Sequence, residues 1–384
     1  MKKTSIENIS KVLKTGKTPP SKNDAYFIHD YNWYTPGDIQ FNKYLTFSER
    51  GISQKALDDK KSFLYPENSL LITCIGNIGR VGISKERSAS NQQITAIKPN
   101  EELDVEFLYY WFIKNQEVIS YFANNAVVPI LNNQTLKRIE ISYPPLKTQQ
   151  EIVEILDAAA ALRDHTKKLL EEYDLLAQSI FLDMFGDPVL NEKGWEVIPF
   201  GKSGKLDRGK SKHRPRNAPE LLGGEYPLVQ TGDVANSNGY ITEFRSTYSE
   251  LGLAQSKLWP KGTLCITIAA NIAKTGILTF DACFPDSVVG FVPNELTNNE
   301  YTQHWMSFLQ QMIEANAPVS AQKNINLKIL RELEFMCPPI SLQNEFAEKI
   351  EIIEQQKELA KQELKESEDL FQGLLQRAFK GELV

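Results

Sequence analysis

The sequence predicts an α+β (mixed α/β) protein in which two repeated globular domains are separated by two long helices packed as an antiparallel coiled coil. Two observations predict this architecture. The chain repeats itself at a spacing of 194 residues, and each copy ends in a long apolar stripe at helical spacing. The predicted domains cover residues 1–143 and 190–337, and the predicted helical segments cover 144–189 and 338–384.

The internal repeat is clearest in residues 64–83, which align without a gap on residues 258–277. Nine of these twenty pairs are identical. The same offset aligns Trp111 with Trp305, Asn132 with Asn326, Pro144-Pro145 with Pro338-Pro339, Gln149 with Gln343 and Phe185 with Phe379. A period this long exceeds that of a solenoid and indicates two copies of one domain-plus-helix unit. Such a chain can present two similar surfaces to one elongated partner.

Each globular copy is predicted to mix strands with helices. Ser69–Thr73 and Thr263–Ile268 are short apolar runs introduced by turn residues, as is typical of strands. Segments 107–122 and 301–312 are aromatic-rich and helix-like, and we expect Trp111 and Trp305 in them to be core residues.

A long helix is expected after each Pro-Pro pair, because residues 139–143 alternate like a strand and the prolines end it. Thr148 and Glu151 have the spacing of a capping box. The predicted helix or subunit interface comprises Ile152, Ile155, Ala159, Leu162, Thr166, Leu169, Tyr173, Leu176 and Ile180 in the first helix. In the second it comprises Phe346, Ile350, Ile353, Ala360, Leu364, Phe371 and Leu374, interrupted by Lys357. The alternative is that each helix packs only on its own domain.

Composition indicates a globular protein of the cytoplasm. Of the 384 residues, 41% are hydrophobic and 24% are charged, and no apolar run reaches the length of a membrane span. Cys74, Cys265, Cys283 and Cys337 are scattered, so reduced thiols are expected rather than a disulfide framework. No zinc or other metal site is expected, since no C-x-x-C motif occurs and the four histidines are isolated.

The distribution of charge favours a polyanionic partner although the net charge is −6. Seven Lys or Arg residues lie between Lys202 and Arg216, against one acid, Asp207. Acids dominate the predicted helices instead: nine acids against four bases in 147–187, and ten against six in 341–384. Basic domains carried on acidic helices are compatible with a nucleic acid that only the domains bind.

Several motifs together resemble one known family. They are Gly16-Lys17-Thr18-Pro19 and Gly209-Lys210-Ser211, Gly37-Asp38-Ile39 and Gly232-Asp233-Val234, Asn77-Ile78-Gly79, Asn91-Gln92-Gln93, the segments Pro144-Pro145-Leu146 and Pro338-Pro339-Ile340 with Gln149 and Gln343 following, and Phe185-Gly186-Asp187. The chain resembles the specificity (S) subunit of a Type I restriction–modification system, over almost its whole length. The second copy departs from the pattern: alanines at 270 and 273 replace glycines, and Pro285-Asp286-Ser287 stands where the first copy has Asn91-Gln92-Gln93.

The resemblance implies that each domain is a target recognition domain, which reads one half of a bipartite site in double-stranded DNA. It also implies that the helices form an antiparallel spacer that docks two methyltransferase (M) subunits. Restriction (R) subunits are a further candidate partner. No cofactor is expected in this chain, since S-adenosylmethionine would be bound by the methyltransferase subunit, and no membrane partner is expected.

Candidate DNA-binding residues are loop residues whose side chains match phosphates or base edges. In the first copy they are Lys17, Thr18, Asn77, Arg80, Asn91, Gln92, Gln93, Asn133 and Gln134; in the second they are Lys210, Lys212, His213, Arg214, Arg216, Asn271, Lys274, Gln322, Lys323 and Asn324. Three alternatives remain open: Asn77 and Asn271 could be turn residues, Asn91–Gln93 could be structural, and Lys210–Arg216 could be a solvated loop.

No catalytic residues are predicted. Gly76, Gly79 and Gly82 do not have the spacing of a dinucleotide fingerprint or P-loop, and no Ser-His-Asp or His-Glu-x-x-His arrangement is visible. The predicted function is DNA recognition and scaffolding without intrinsic catalysis. The alternatives are a specificity subunit of a methyltransferase-only or Type IIB-like system, and a two-domain adaptor that binds only proteins.

Overall fold

The computed structural model describes residues 1–40, 42–123, 130–213, 215–269, 273–316 and 326–384. These residues form two compact units. Unit 1 comprises Met1–Lys167 together with Gln362–Val384, and unit 2 comprises Lys168–Lys361. Each unit therefore combines one sheet-containing domain with a segment of each long helix.

The described residues of unit 1 form ten strands and parts of the two long helices. The strands are β1 (Lys2–Ser5), β2 (Ser10–Thr15), β3 (Tyr31–Tyr34), β4 (Tyr44–Leu45), β5 (Gly51–Ile52), β6 (Ser69–Thr73), β7 (Val81–Ser84), β8 (Ala89–Ser90), β9 (Ile94–Pro99) and β10 (Glu140–Tyr143). The helices are α1 (Ile6–Ile9), α2 (Gln54–Asp58), α3 (Val105–Lys114), α4 (Gln116–Ala123), α5 (Asn133–Arg138) and the first part of α6 (Leu146–Phe185).

Unit 2 contains the remaining strands and helices. The strands are β11 (Val197–Pro199), β12 (Gly204–Arg208), β13 (Leu222–Leu228), β14 (Gly239–Ile241), β15 (Ser246–Tyr248), β16 (Leu258–Trp259), β17 (Leu264–Thr267), β18 (Thr275–Leu278), β19 (Ala282–Cys283), β20 (Val288–Pro293) and β21 (Glu334–Met336). The helices are α7 (Thr231–Ala235), α8 (Glu250–Ala254), α9 (Asn299–Asn316), α10 (Leu327–Glu332) and the first part of α11 (Ile340–Lys380), whose last part belongs to unit 1.

The main sheet has the same strand order in both units. Unit 1 has the order β2-β9-β6-β7-β4 and unit 2 has β12-β20-β17-β18-β14, with only the last pair of each sheet parallel. A smaller sheet accompanies each, β5-β3-β8 in unit 1 and β15-β13-β19-β16 in unit 2. The equivalent order is the structural counterpart of the 194-residue repeat.

The hydrophobic core of each unit lies between its main sheet, the following aromatic helix and the long-helix segments. Trp305 in α9 is fully buried, whereas Trp111 in α3 is only partly buried and packs at the margin of the core. Cys74, Cys265 and Cys283 are buried free thiols, and Cys337 is partly buried and also free. Within the part of the chain that the structure describes, no helix combines the length and apolar character that a membrane span requires.

A buried glutamine joins the start of each long helix to its domain. The Gln149 amide donates to the carbonyl oxygens of Glu102 and Pro144, both at 2.8 Å, and its oxygen accepts from the Asp104 N–H. Gln343 makes the equivalent bonds in unit 2, donating to Leu296 and Pro338. The predicted capping box at Thr148 is wrong, because the helix already begins at Leu146 and Thr148 lies within its first turn.

Candidate nucleic-acid interface

Three loops of unit 1 meet at one edge of its main sheet. The strand registers pair Thr15 with Thr95, Thr73 with Ile94, and Ile72 with Val81. The ends of β2 and β6 and the starts of β7 and β9 therefore lie side by side. Loops 16–18, 74–80 and 91–93 converge there, and the start of α5 joins them.

Some candidate residues at this edge have structural roles. Asn91 is buried, and its side-chain oxygen accepts from the Gln93 N–H while its amide donates to the Gln93 side chain, both at 2.9 Å. Asn133 accepts from the hydroxyls of Thr15 and Thr95 at 2.9 and 3.2 Å. These bonds support the structural alternative for Asn91 and give Asn133 the same kind of role.

The remaining candidates of unit 1 are more accessible. Lys17, Thr18, Asn77, Gln92 and Gln134 are exposed, and Arg80 and Gln93 are partly buried. The Thr18 hydroxyl donates to the Gln92 side-chain oxygen, which joins two of the loops. The Lys17 ammonium bonds the carbonyl oxygen of Lys60, a neighbouring cation that the sequence patterns did not identify. The edge thus exposes amide and ammonium groups, which match base edges and phosphates respectively.

Unit 2 repeats this geometry with a more basic set of side chains. Arg208 pairs with Val289, Thr267 with Val288, and Ile266 with Thr275, so the described residues 209–213, 268–269, 273–274 and 285–287 share one sheet edge. Glycine is required at position 209, where the chain passes close to the backbone of Phe284, because a Cβ there would lie 2.2 Å from the Phe284 carbonyl oxygen.

Hydrogen bonds hold the basic loop 210–217 in place. The side-chain oxygen of Gln255 accepts from the N–H groups of Lys212 and His213 at 2.6 and 3.1 Å. The Ser256 hydroxyl donates to the Lys210 carbonyl oxygen at 2.9 Å. The backbone is thus anchored at Lys210, Lys212 and His213, while the side chains of Lys210 and Lys212 are exposed, so the solvated-loop alternative stays open.

The other candidates of unit 2 divide into three groups. The Arg216 guanidinium forms an ion pair with Asp286 across the two loops, and His213 is partly buried. Lys274 is partly buried, and its backbone bonds Thr267 as that of Arg80 bonds Thr73. Arg214, Asn271, Gln322, Lys323 and Asn324 lie outside the described residues.

Two further cations extend this basic surface. Lys257 lies 3.4 Å above the Trp259 ring, and both Lys257 and Arg331 approach Asp207 to 3.9 Å. Partial burial lowers the pKa of Lys257, with smaller contributions from Lys205 and Lys210 and opposition from Asp207. The sequence patterns missed both cations because they come from segments about 50 and 120 residues beyond the basic run.

Backbone strain distinguishes the two copies beside this edge. Gly79 adopts φ +82°, and its repeat counterpart Ala273 adopts φ +61° while buried. A side chain in the left-handed region costs on the order of 1–2 kcal/mol. The second copy therefore keeps the turn geometry of the first without the glycine that favours it.

In unit 1, segments of the two long helices pack antiparallel. Arg163 of α6 lies 4.8 Å above the Phe371 ring of α11, and Lys167 pairs with the earlier residue Glu368 at 3.0 Å. Besides Gln149, the buried residues of α6 here are Ile152, Val153, Leu156, Ala159 and Thr166; those of α11 are Ser367, Phe371, Leu375 and Ala378.

Unit 2 contains a second antiparallel pairing. Phe181 and Phe185 of α6 pack on Phe346 of α11, with ring centroids 5.6 and 5.4 Å apart, and Asp174 pairs with Lys357 at 2.8 Å. Ile350, Ile353 and Ala360 are also buried here. The Lys357 side chain is only 8% exposed and binds Glu354 at 2.6 Å as well. Burial lowers its pKa, but the two carboxylates outweigh this effect and the net shift is upward.

The predicted seam needs one correction, in the first helix. Ile155, Leu162 and Leu176 are exposed, and Leu156, Ala177 and Phe181 are buried instead. The buried face is displaced because α6 packs on its domain as well as on α11. Of the other predicted seam residues, Leu169, Tyr173, Ile180, Leu364 and Leu374 are partly buried.

Comparison with known families accounts for this duplicated arrangement. The family model "Type I restriction modification DNA specificity domain" matches the chain twice, over residues 1–172 and 192–368. The chain belongs to this family. The resemblance and the fold class predicted from the sequence are both confirmed.

Relatives within the specificity-domain family are distant in sequence. The MjaIX specificity subunit of Methanocaldococcus jannaschii is 29% identical over 272 residues, which cover 66% of this chain and 62% of that protein. The EcoBI specificity subunit of Escherichia coli is 22% identical over 361 residues, which cover 84% of this chain and 74% of that protein. The first of these alignments thus spans less than two thirds of the relative's length.

Solved structures show the same fold over nearly the whole chain. The crystal structure of a Type I restriction–modification S subunit from M. genitalium superimposes with a TM-score of 0.60 at 16% identity, covering 98% of this chain and 96% of that one. A structure from a study of complex assembly in a type I R-M system gives 0.61 at 15% identity, covering 100% and 98%. At these identities the likeness concerns the fold alone. Among the described residues, no three His, Cys, Asp or Glu side chains are grouped so as to hold a metal ion.

Proposed function

We propose that this chain is the DNA sequence-recognition subunit of a Type I restriction–modification complex. It binds a bipartite, asymmetric site in double-stranded DNA and acts in the cytoplasm. The observation that carries this proposal is the duplicated sheet edge, at which loops with ammonium, guanidinium and amide groups converge in both units. Because the two edges carry different side chains, each reads a different half-site.

The chain contributes recognition rather than chemistry. Transfer of a methyl group from S-adenosylmethionine to a target base takes place in two partner methyltransferase subunits, and a restriction subunit joins the same complex. Apolar side chains exposed on the long helices support protein partners there: in unit 2, Leu175, Ile352 and Leu359 are each about 60% exposed. These residues lie outside the packed seam and are free to contact another subunit.

A bipartite site is expected because the chain carries two sheet edges on two domains, with one long helix, α6, between them in the sequence and a second, α11, after the second domain. α6 has 40 residues and α11 has 41, so each rises about 60 Å at 1.5 Å per residue. A DNA turn measures about 34–36 Å. We therefore expect two half-sites with a spacer between them that neither domain reads.

Selection from a random duplex pool with the full chain tests the proposal. We expect a motif of two short, unrelated half-sites around a spacer of fixed length and no sequence preference. A single contiguous motif would refute the bipartite arrangement. Recovery of no motif, together with binding to a protein partner that does not weaken as salt rises, would instead favour the protein-binding adaptor.

A further inference from the structure

The ion pair between Arg216 and Asp286 joins two loops of the unit 2 sheet edge. Asp286 occupies the position that Gln92 holds in the first copy, 194 residues earlier. There the Gln92 oxygen accepts from Thr18, whereas in unit 2 the Asp286 carboxylate accepts from the Arg216 guanidinium. A contact between these loops is thus retained in both copies, but its chemistry differs.

A carboxylate at a DNA-binding edge needs an explanation, because it repels phosphates unless it is neutralised. The backbone around Asp286 is fixed: the Lys210 N–H donates to the Phe284 carbonyl oxygen at 3.1 Å and the Val288 N–H to that of Pro285 at 3.0 Å. The carboxylate therefore stands at a defined point, and its contact holds the end of the Arg216 side chain beside that point.

The arginine retains its capacity to bind DNA in this pair. The contact uses one guanidinium nitrogen, Nη2, of a group with five N–H donors. The side chain of Arg216 is 44% exposed and that of Asp286 is 38% exposed, so a base edge can approach the free side of the fork. An arginine presented in this way pairs bidentately with O6 and N7 of guanine, the commonest specific contact in the major groove.

We propose that Arg216 reads a guanine in the half-site of unit 2 and that Asp286 is the positioning residue that orients it. This inference rests on the proposed function and specifies one base of its target. It also explains an acid that the sequence placed in an otherwise basic surface.

The test compares full-chain variants in duplex selection. R216K keeps the charge but loses the bidentate fork, D286N keeps the shape but loses the charge that orients the arginine, and K212A removes a neighbouring cation. We expect wild type and K212A to select the same motif, with a guanine in one half-site. R216K should lose the preference at that position alone, and D286N should weaken it there.

Substituting 7-deazaguanine at that position gives the quantitative measurement, since it removes the N7 acceptor. Wild type should bind the modified duplex about 5-fold more weakly, near the low end of the about 1–3 kcal/mol that a bidentate pair supplies, because the O6 acceptor is kept. R216K should bind both duplexes within about twofold, and D286N should fall between while keeping the salt dependence of wild type.

Three outcomes would overturn the inference. R216K could select the wild-type motif unchanged, it could weaken binding equally for every sequence as a phosphate contact would, or D286N could leave the 7-deazaguanine discrimination intact. If wild type itself selects no motif, the proposed function fails as well, and this result is distinguishable from the other three.

Discussion

The basic surface of unit 2 makes a quantitative prediction about salt dependence. Lys210 and Lys212 are exposed on the anchored loop, and Lys257 lies on the adjoining segment that anchors it. We expect each of these ammonium groups to contact a phosphate, so the triple variant K210A/K212A/K257A removes three contacts.

The expected size of the effect follows from counterion release. The slope of log K against log salt is negative, and each lost phosphate contact reduces its magnitude by about 0.9. The loss of three contacts should therefore reduce the magnitude by about 2.7. Between 50 and 200 mM salt, wild-type affinity should therefore fall about 40-fold further than that of the variant. The motif that the protein selects should not change, because phosphate contacts carry no sequence information.

Fluorescence anisotropy with one labelled duplex at four salt concentrations measures both slopes. The matched control is K168A/K361A/K365A, which removes the same charge from exposed positions on the long helices. The control should keep the wild-type slope. An unchanged slope in K210A/K212A/K257A, or an equal change in the control, would refute the placement of DNA on this sheet edge.

Three further predictions concern stability. K357A should destabilise unit 2 by about 1–3 kcal/mol in denaturant unfolding, because it removes both the cation that pairs with Asp174 and Glu354 and the buried stem of the lysine. K357M restores only the stem and should recover part of this loss; equal costs would contradict a packing contribution from the stem. A273G should stabilise the protein by about 0.5–1 kcal/mol by relieving a positive φ, and G79A should destabilise it; effects of the same sign would be inconsistent with the strain.

The third prediction concerns pH and compares two carboxyls, Glu106 and Glu300, which occupy equivalent positions in the two copies. Burial raises the pKa of Glu300. The contribution of this carboxyl to the free energy of unfolding is therefore complete in acid and is lost as pH rises through the raised pKa. Burial also acts on Glu106, but bonds from Tyr44, Lys85 and Lys43 outweigh it and lower the pKa. The contribution of Glu106 to the free energy of unfolding is therefore lost as pH falls through its lowered pKa. E300Q and E106Q should therefore change the pH dependence of unfolding in opposite directions, and parallel shifts would contradict this.

The duplicated architecture could be predicted from the sequence because it depends on periodicity and on long-range identity. β6 and the second-helix stripe were placed to within a residue, since β-branched runs and 3-4 spacing of apolar residues are local signals. The first-helix stripe was wrong at Ile155, Leu162 and Leu176, which are exposed. That helix carries Ile155 and Leu156 side by side, and which one is buried depends on the surface that α6 packs against.

The composition of the site was only partly predictable for a related reason. Its loops could be identified from residue types, but the partners within it depend on the strand order. Gln255 holds the basic loop although more than 40 residues separate them, and Asp286 reaches Arg216 only because β12 and β20 are neighbours. For Asn91 the residue type was misleading: its side chain suits a base edge, but in the structure its side-chain oxygen accepts a hydrogen bond from the Gln93 N–H within the turn.

Sequencing of methylated bases in the host genome, with and without the gene for this chain, tests the central claim most directly. The account predicts a methylated motif of two unrelated half-sites at fixed spacing, which disappears entirely when the gene is removed. A methylation pattern that is unchanged after removal, or whose motif is a single contiguous sequence, would contradict it.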